Sequence, residues 1–413
     1  MNDRDYDLIV FGATGFTGQL VAEYLLERYG VDGELRWAIA GRSRAKLEAV
    51  RNALQGSSPA SPLPLLEADS GNSGSLAALA DSTRVLCSTV GPYARYGTPL
   101  LQACAARGTH YCDLTGEVPW IARSIADFQE TAQASGATLV HCCGFDSIPS
   151  DLGNWFVQQA MQEQHGVSSA RVRGRVGKTR GAASGGTVAS LLGVMEDAAA
   201  DKTLRRQLRN KYWLYPIDEE PGPPHSDQSG PVYDPRFEQW TTPFVMSLIN
   251  ERVVRRSNAL LGFPWGREFD YDESQLCSSR AQALAISIAL GGAMLTASTR
   301  VGRGLMGKLL PQPGEGPDRD ARENGCFELF FHAEHPSDSN LDLRARVSGD
   351  RDPGYGATSR MLGEAAVCLA KDKLSVGGGI WTPASALAAP LLPRLEAHAG
   401  LSFSLVQARQ RAT

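Results

Sequence analysis

The sequence predicts an α/β chain: an N-terminal doubly wound parallel sheet joined to a second, α+β domain. Three observations carry this. From Asp7 to Cys142, short apolar runs alternate with segments of helical periodicity. The first of these runs enters a glycine-rich turn that opens directly into a helix. Beyond about residue 165 the regular alternation stops, and alternating strand patterns, a Pro/Gly-rich excursion and long apolar helices follow in mixed order.

Asp7–Phe11 (DLIVF) reads as a buried strand. It runs into Gly12-Ala13-Thr14-Gly15-Phe16-Thr17-Gly18, and then into a helix with Leu20, Val21, Tyr24 and Leu25 on one face. Strand, glycine turn and helix together let backbone N–H groups approach a pyrophosphate at a helix N-terminus, the Rossmann arrangement. Gly12 permits the tight turn, Gly15 the close approach of phosphate, and Gly18 the close packing of helix on strand. The spacing is GxxGxxG, and all seven residues from Gly12 to Gly18 are candidate cofactor contacts. The plainer alternative is a glycine-rich turn with no ligand.

The next unit selects the nucleotide. Leu35–Ala40 reads as a second strand and ends at Gly41-Arg42-Ser43-Arg44. An acidic residue here would hold a ribose 2′-hydroxyl, and none is present. A guanidinium instead offers fixed charge and paired donors to a 2′-phosphate. The expected cofactor is therefore NADP(H), with Arg42 and Ser43 as its contacts. A solvated basic start to the helix Ala45–Leu54 is the alternative, although cations in a first turn oppose the helix dipole.

The winding continues. Leu63–Leu66 fits a third strand, followed by Asp69, either an adenine-side contact or a cap for the helix Leu76–Ala80. Arg84–Thr89 fits a fourth strand and leads to Val90-Gly91-Pro92-Tyr93, where Gly91 and Pro92 would shape a loop over the cofactor. A helix Pro99–Arg107, stopped by Gly108, precedes a fifth strand from His110 to Cys112. A helix Ile121–Ser135 and a sixth strand Ala137–Cys142 follow. Pro149 then suits the first turn of a helix reaching about Glu163. Ligands in such sheets lie beyond the strand carboxyl ends. The turns at 12–18, 41–44, 90–93, 113–117 and 144–149 should therefore face one crevice.

GATGFTG, AGRS, TVGPY, YCDLTGE and GFDSIPSDLG, in this order, resemble the saccharopine-dehydrogenase-like oxidoreductases, in the branch that includes bacterial trans-acting enoyl reductases. The likeness is dense over residues 5–200 and looser afterwards. It implies an NADP-binding Rossmann domain over residues 1–165, an α+β substrate or oligomerisation domain over 166–350, and a C-terminal segment, 351–413, returning to the first domain.

Composition sets the broad class. The chain has 413 residues and a net charge of −4, which gives no case for nucleic acid. The polar, acidic start MNDRDYD is not a secretory signal, so a cytoplasmic protein is expected. The 8 cysteines form no CxxC pair and no metal spacing, so buried reduced thiols and no metal are expected.

In the second half, Ala170–Lys178 alternates like a strand, and residues 181–187 read as a flexible turn before the helix Val188–Ala200. That turn is either a binding site for an anionic or carbonyl group or a plain connection. Residues 214–240 read as a long excursion. Residues 326–333 and 341–348 read as paired strands, and Tyr355–Ala370 and Ala384–Ala389 as helices. The unpaired edge of the second sheet suggests a homodimer. Ala281–Thr299 is uncharged and approaches a membrane-spanning length. A buried helix, the wall of an apolar tunnel, an amphipathic surface for lipid or a carrier protein, and a true span are all consistent with it. With Asn258–Trp265 (NALLGFPW), it favours a hydrophobic, acyl-like substrate, free or carrier-bound, and leaves membrane contact open.

The chemistry expected is hydride transfer from NADPH to an activated C=C or C=O of a lipid- or polyketide-like substrate, with a proton from the protein. The YxxxK pair of short-chain dehydrogenases is absent. Tyr93 and Ser147 are the catalytic candidates, with Tyr96 and Asp146 as further donors and His141 as a core residue. Two alternatives remain. A saccharopine-type amino acid dehydrogenase would need converging cations, for which Arg171, Arg173, Arg175, Lys178 and Arg180 are available. A non-catalytic NADP-binding regulator or lipid-associated scaffold would need no proton donor.

Overall fold

The computed structural model describes residues 4–181, 185–216, 218–223, 226–309 and 316–406. Fourteen strands are present among them: β1 (Tyr6–Phe11), β2 (Trp37–Gly41), β3 (Leu65–Glu67), β4 (Thr83–Ser88), β5 (His110–Asp113), β6 (Thr138–Val140), β7 (Arg171–Arg180), β8 (Val232–Asp234), β9 (Gln239–Pro243), β10 (Asp270–Cys277), β11 (Cys326–Ala333), β12 (Leu343–Gly349), β13 (Gly379–Trp381) and β14 (Leu401–Leu405). They form two sheets of seven.

The first sheet has the order β13-β6-β5-β4-β1-β2-β3, and every neighbouring pair in it is parallel. Its first six strands follow the 3-2-1-4-5-6 order of a Rossmann sheet, with the order reversing between β1 and β4. Strand β1 explains the two layers of cover. Leu8 and Val10 join the core beneath the helices Phe16–Tyr29 and Thr358–Lys371. Ile9 and Phe11, on the opposite face, join the core beneath Ser73–Ser82, Thr98–Arg107 and Val118–Ser135. Alternate residues of a strand point to opposite faces, so a fully buried run reads as continuous apolar sequence.

The second sheet has the order β14-β12-β11-β7-β10-β9-β8. It is mixed: β7 and β10 are parallel, and the remaining pairs antiparallel. The expected pairing of 326–333 with the following strand is present as β11 with β12, in register from Phe327–Gly349 to Ala333–Leu343. The 214–240 excursion contains a short edge strand, β8.

The helix Ile148–His165 joins the sheets. It leaves the first sheet after β6 and lies on β11 and β12 of the second. Gly153 makes this approach possible, since a Cβ there would stand 2.4 Å from the Phe331 ring. The C-terminal part of the chain returns to the first sheet. β13 extends it beyond β6, and Gly363 of Thr358–Lys371 sits against the Tyr24 ring, where a Cβ would lie 2.8 Å away.

The helix expected over Ala281–Thr299 is present as Arg280–Ser298, but its buried reading fails. Only Ala283 and Ala297 are buried, because one face alone meets the protein.

Candidate active site

The carboxyl ends of β1, β2 and β4 bring three of the expected turns together. Gly12 and Ala13 both donate their N–H to Ala40 O, at 3.0 and 3.2 Å, which ties the glycine turn to the end of β2. Thr89, just past β4, donates its hydroxyl to the carbonyls of Phe11 and Gly12, each at 3.2 Å. Gly12 is in the left-handed region (φ 92°), and a Cβ there would lie 2.7 Å from Thr89 Oγ1 and Val90. A Cβ at Gly18 would lie 2.3 Å from Gly12 O, so only glycine lets the helix start against the turn. Thr14 lies beside Gly41 and accepts a hydrogen bond from Gln19 at 3.2 Å.

This cradle fits a dinucleotide. Helix Phe16–Tyr29 begins at Gly15 with no side-chain cap and no acidic residue in its first turn, so its leading N–H groups face outward for an anion. Arg42 is exposed at the end of β2 and makes no hydrogen bond or ion pair among the described residues. Arg44, by contrast, is committed to Glu48 (3.1 Å) and Leu65 O (3.0 Å). Ser43 caps the following helix, accepting from Lys46 N at 3.5 Å. Asp69 does not cap its helix: its carboxylate accepts from Gly71 N at 2.9 Å, and Asn72 is the cap. Sequence spacing cannot separate the two, because both precede the helix by a few residues. Phe16 is further enclosed by Tyr355, edge-on at 4.8 Å, and by the Arg322 guanidinium at 5.5 Å. Neither partner was foreseen, since both come from distant sequence.

The loops after β4, β5 and β6 build the other half of the crevice. Gly91 and Pro92 are joined by a cis peptide bond and lead into the short helix Tyr93–Tyr96. The buried Glu117 carboxylate holds that helix, accepting from Tyr93 N and Ala94 N, both at 2.8 Å. It also accepts from Ser190 Oγ at 2.8 Å, which brings the helix Gly185–Ala200 to the crevice. The turn preceding that helix was a candidate anion site, but residues 182–184 lie outside the described residues. Gly185 N donates to Tyr355 Oη at 2.9 Å.

The two expected proton donors are turned inward. Tyr93 is buried, donates its hydroxyl to Ser88 O at 2.9 Å, and stacks on Trp120 at 5.3 Å. Burial, reinforced by Asp113, pushes its phenol well above the usual range. Ser147 is fully buried and donates to Asn250 Oδ1 at 3.1 Å. Asn250 in turn donates to Ser150 and Glu273, so Ser147 belongs to the polar seam between the helix Ile148–His165 and the second sheet. His141 is a core residue, as expected: its Nδ1 lies 2.8 Å from Asp113 Oδ2 and its ring packs on Trp120.

Asp146 differs from all of these. It is half-buried in the turn after β6, one residue before Ser147. Among the described residues it has no hydrogen-bond or ion-pair partner. It faces Gly116 from the β5 turn, where a Cβ would lie 3.5 Å from its Oδ2, and Met246 lies beside the same spot. Burial alone raises its carboxyl to about 7. It is an uncompensated acid at the junction of the β5 and β6 turns, able to hold a proton near neutrality.

Of the five cations of β7, Lys178 and Arg180 are exposed near its end, and the other three are paired with acids. Arg171 is 3.7 Å from Asp270, Arg173 is 3.2 Å from Glu334, and Arg175 is within 2.7 Å of both Asp234 and Asp272. No group of three or more His, Cys, Asp or Glu suited to a metal is present among the described residues.

Comparison with known proteins adds the following. Residues 8–140 match the saccharopine dehydrogenase NADP-binding domain. A Mycobacterium tuberculosis protein provisionally named a trans-acting enoyl reductase is 41% identical over 415 residues, covering 97% of each chain. A trans-acting enoyl reductase of Mycobacterium ulcerans is 35% identical, covering 95% of this chain and 96% of its own. Among solved structures, apo saccharopine dehydrogenase (L-Glu forming) from Saccharomyces cerevisiae superposes with a TM-score of 0.52 at 11% identity, covering 97% of this chain and 99% of that one, a likeness of fold.

Proposed function

Because the chain belongs to the saccharopine-dehydrogenase-like family of NADP-dependent oxidoreductases, alongside proteins named trans-acting enoyl reductases, we propose that it reduces the activated C=C of an acyl thioester. The observation that carries this reading is the unpartnered Asp146 carboxyl beside Gly116, at the carboxyl end of the same parallel sheet as the glycine turn.

Gly12–Gly18 would hold the pyrophosphate, Arg42 and Ser43 the 2′-phosphate, and the Gly91–Pro92 loop would border the nicotinamide side. NADPH bound there supplies the hydride. Enoyl reduction adds that hydride at the β-carbon, which drives charge onto the thioester oxygen, and protonation of the α-carbon then discharges it. Asp146 holds this proton on its carboxyl. Its elevated affinity keeps a substantial protonated fraction near neutral pH, where an ordinary aspartate is ionised. Tyr93 and Glu117 position the turn: Glu117 fixes the two N–H groups that begin the short helix, and the Tyr93 ring fills the space above Trp120.

A saccharopine-type substrate carries several carboxylates, and Arg171, Arg173 and Arg175 are already paired with acidic residues. An enoyl thioester makes no such demand. The test is titration with NADPH and NADH by nicotinamide fluorescence, then addition of a medium-chain 2-enoyl thioester while following NADPH oxidation. Preference for NADPH with oxidation on adding thioester is expected. Tight NADPH binding with no oxidation by any enoyl thioester overturns the substrate class and leaves the cofactor in place, as a non-catalytic binding protein requires.

A further inference from the structure

The helices Arg280–Ser298 and Arg300–Leu309 form a hairpin on the outside of the second sheet, and the apolar side chains of that hairpin face solvent. Leu284, Ile288 and Leu295 fall within a narrow stripe along the first helix, at spacings of four and seven. Ile288 is 66% exposed and Leu295 72% exposed. Val301 (84%) and Leu305 (56%) continue the apolar surface on the second helix. Gly291 and Gly292 leave the stripe low and open between them. Along helix geometry, Leu284 to Leu295 spans about 17 Å. Exposed apolar residues are common singly, but a continuous stripe marks a contact surface.

The opposite face of the first helix is bound to the protein. Ser287 Oγ and Thr242 Oγ1 are 2.8 Å apart, Ala283 and Ala297 are buried, and the Arg280 guanidinium lies 5.5 Å above the Trp240 ring. A helix held along one side cannot enter a bilayer as a span, although its length and composition suit one. It can lie along a surface.

Charge identifies that surface. In a chain of net charge −4, the segment from Ser274 to Gly314 contains no Asp or Glu, and it carries Arg280, Arg300, Arg303 and Lys308. Arg300 is exposed at the bend of the hairpin. A two-fold contact between copies through this face would set Arg300 against its own equivalent with no carboxylate in the segment to pair it. An apolar stripe beside cations is the combination by which helices lie in an anionic lipid interface.

We propose that this hairpin docks the protein on an anionic lipid bilayer, with helix Arg280–Ser298 parallel to the membrane plane. The hairpin packs against the helix Gly185–Ala200, and Arg303 lies 3.7 Å from Glu196. That helix reaches the crevice through Ser190 to Glu117 and through Gly185 to Tyr355. Docking thus sets the crevice beside the lipid phase, where an acyl substrate of the class proposed above partitions. The docking itself stands without that reading.

The test is vesicle flotation of the full chain on phosphatidylcholine with and without phosphatidylglycerol, at low and high salt. Binding to the phosphatidylglycerol vesicles, weakened by salt and lost on the neutral ones, is expected. Ile288→Ser/Leu295→Ser should cut partitioning by at least about tenfold. Arg300→Gln should cut it roughly fivefold. Neither change should alter NADPH affinity or Tm, which separates lost docking from lost fold or cofactor site. Wild-type protein that stays unbound on every vesicle overturns the proposal. So does a dimer in sedimentation velocity that the double substitution converts to monomer, because the face would then be an interface between copies.

Discussion

Arg42 and Asp146 are the two charged residues whose freedom matters. Most acids and bases around the crevice are already engaged: Arg44 with Glu48, His141 with Asp113, Glu117 with two backbone N–H groups. Arg42 is left unengaged, and on the reading proposed above it holds the 2′-phosphate, so Arg42→Ala should weaken NADPH binding by about 10- to 100-fold and leave NADH binding nearly unchanged. Fluorescence titration of both nucleotides checks this. Asp146 carries a cost for its freedom. Its carboxyl has an ordinary value of 3.8 and rises to about 7 in the fold, so the folded state favours the protonated form. Stability is therefore lost as pH climbs from about 4 to about 7, and the loss is complete above that window. Asp146→Asn should match the wild-type Tm near pH 4 and exceed it near pH 8, measured by calorimetry. The place of Arg42 at the end of β2 was legible in the sequence, because the apolar strand run stops there. The choice between Asp146 and its neighbour Ser147 was not, since adjacent residues in a turn can face opposite ways and it is Asn250, from a distant helix, that engages Ser147.

At the scale of elements, the glycine turn, β1 and β2 follow from local sequence: an apolar run, glycines where a Cβ would collide, and a helix start without a cap. The second half follows less directly. β11 and β12 were readable from alternation, whereas β8 and β13, three residues each, exist because of the sheets they join. Exposure of the helix Arg280–Ser298 was equally hidden, because an uncharged run has no polar face to reveal its orientation. Glu117 shows how an element can depend on one remote side chain. The helix Tyr93–Tyr96 is too short to persist alone, and its first N–H groups rest on that carboxylate. Glu117→Ala should destabilise the protein by about 2 kcal/mol, because it removes charge-assisted bonds at a buried helix start. Urea denaturation checks the magnitude, and the m-value should stay unchanged.

Across the whole molecule, the turns of the parallel sheet bring the proposed nucleotide contacts and the Asp146 carboxyl to one side. The second sheet and the hairpin of helices beyond it carry the apolar surface. The central claim is that a hydride from bound NADPH and a proton from Asp146 meet at an acyl substrate in that crevice. The most direct measurement is the pH dependence of single-turnover NADPH oxidation by a 2-enoyl thioester, with wild type and Asp146→Asn compared. For wild type, the rate should fall as pH rises through about 7, where Asp146 loses its proton. For Asp146→Asn it should be at least about 100-fold lower and free of that inflection. An Asp146→Asn protein that keeps the wild-type rate and pH profile would contradict the account.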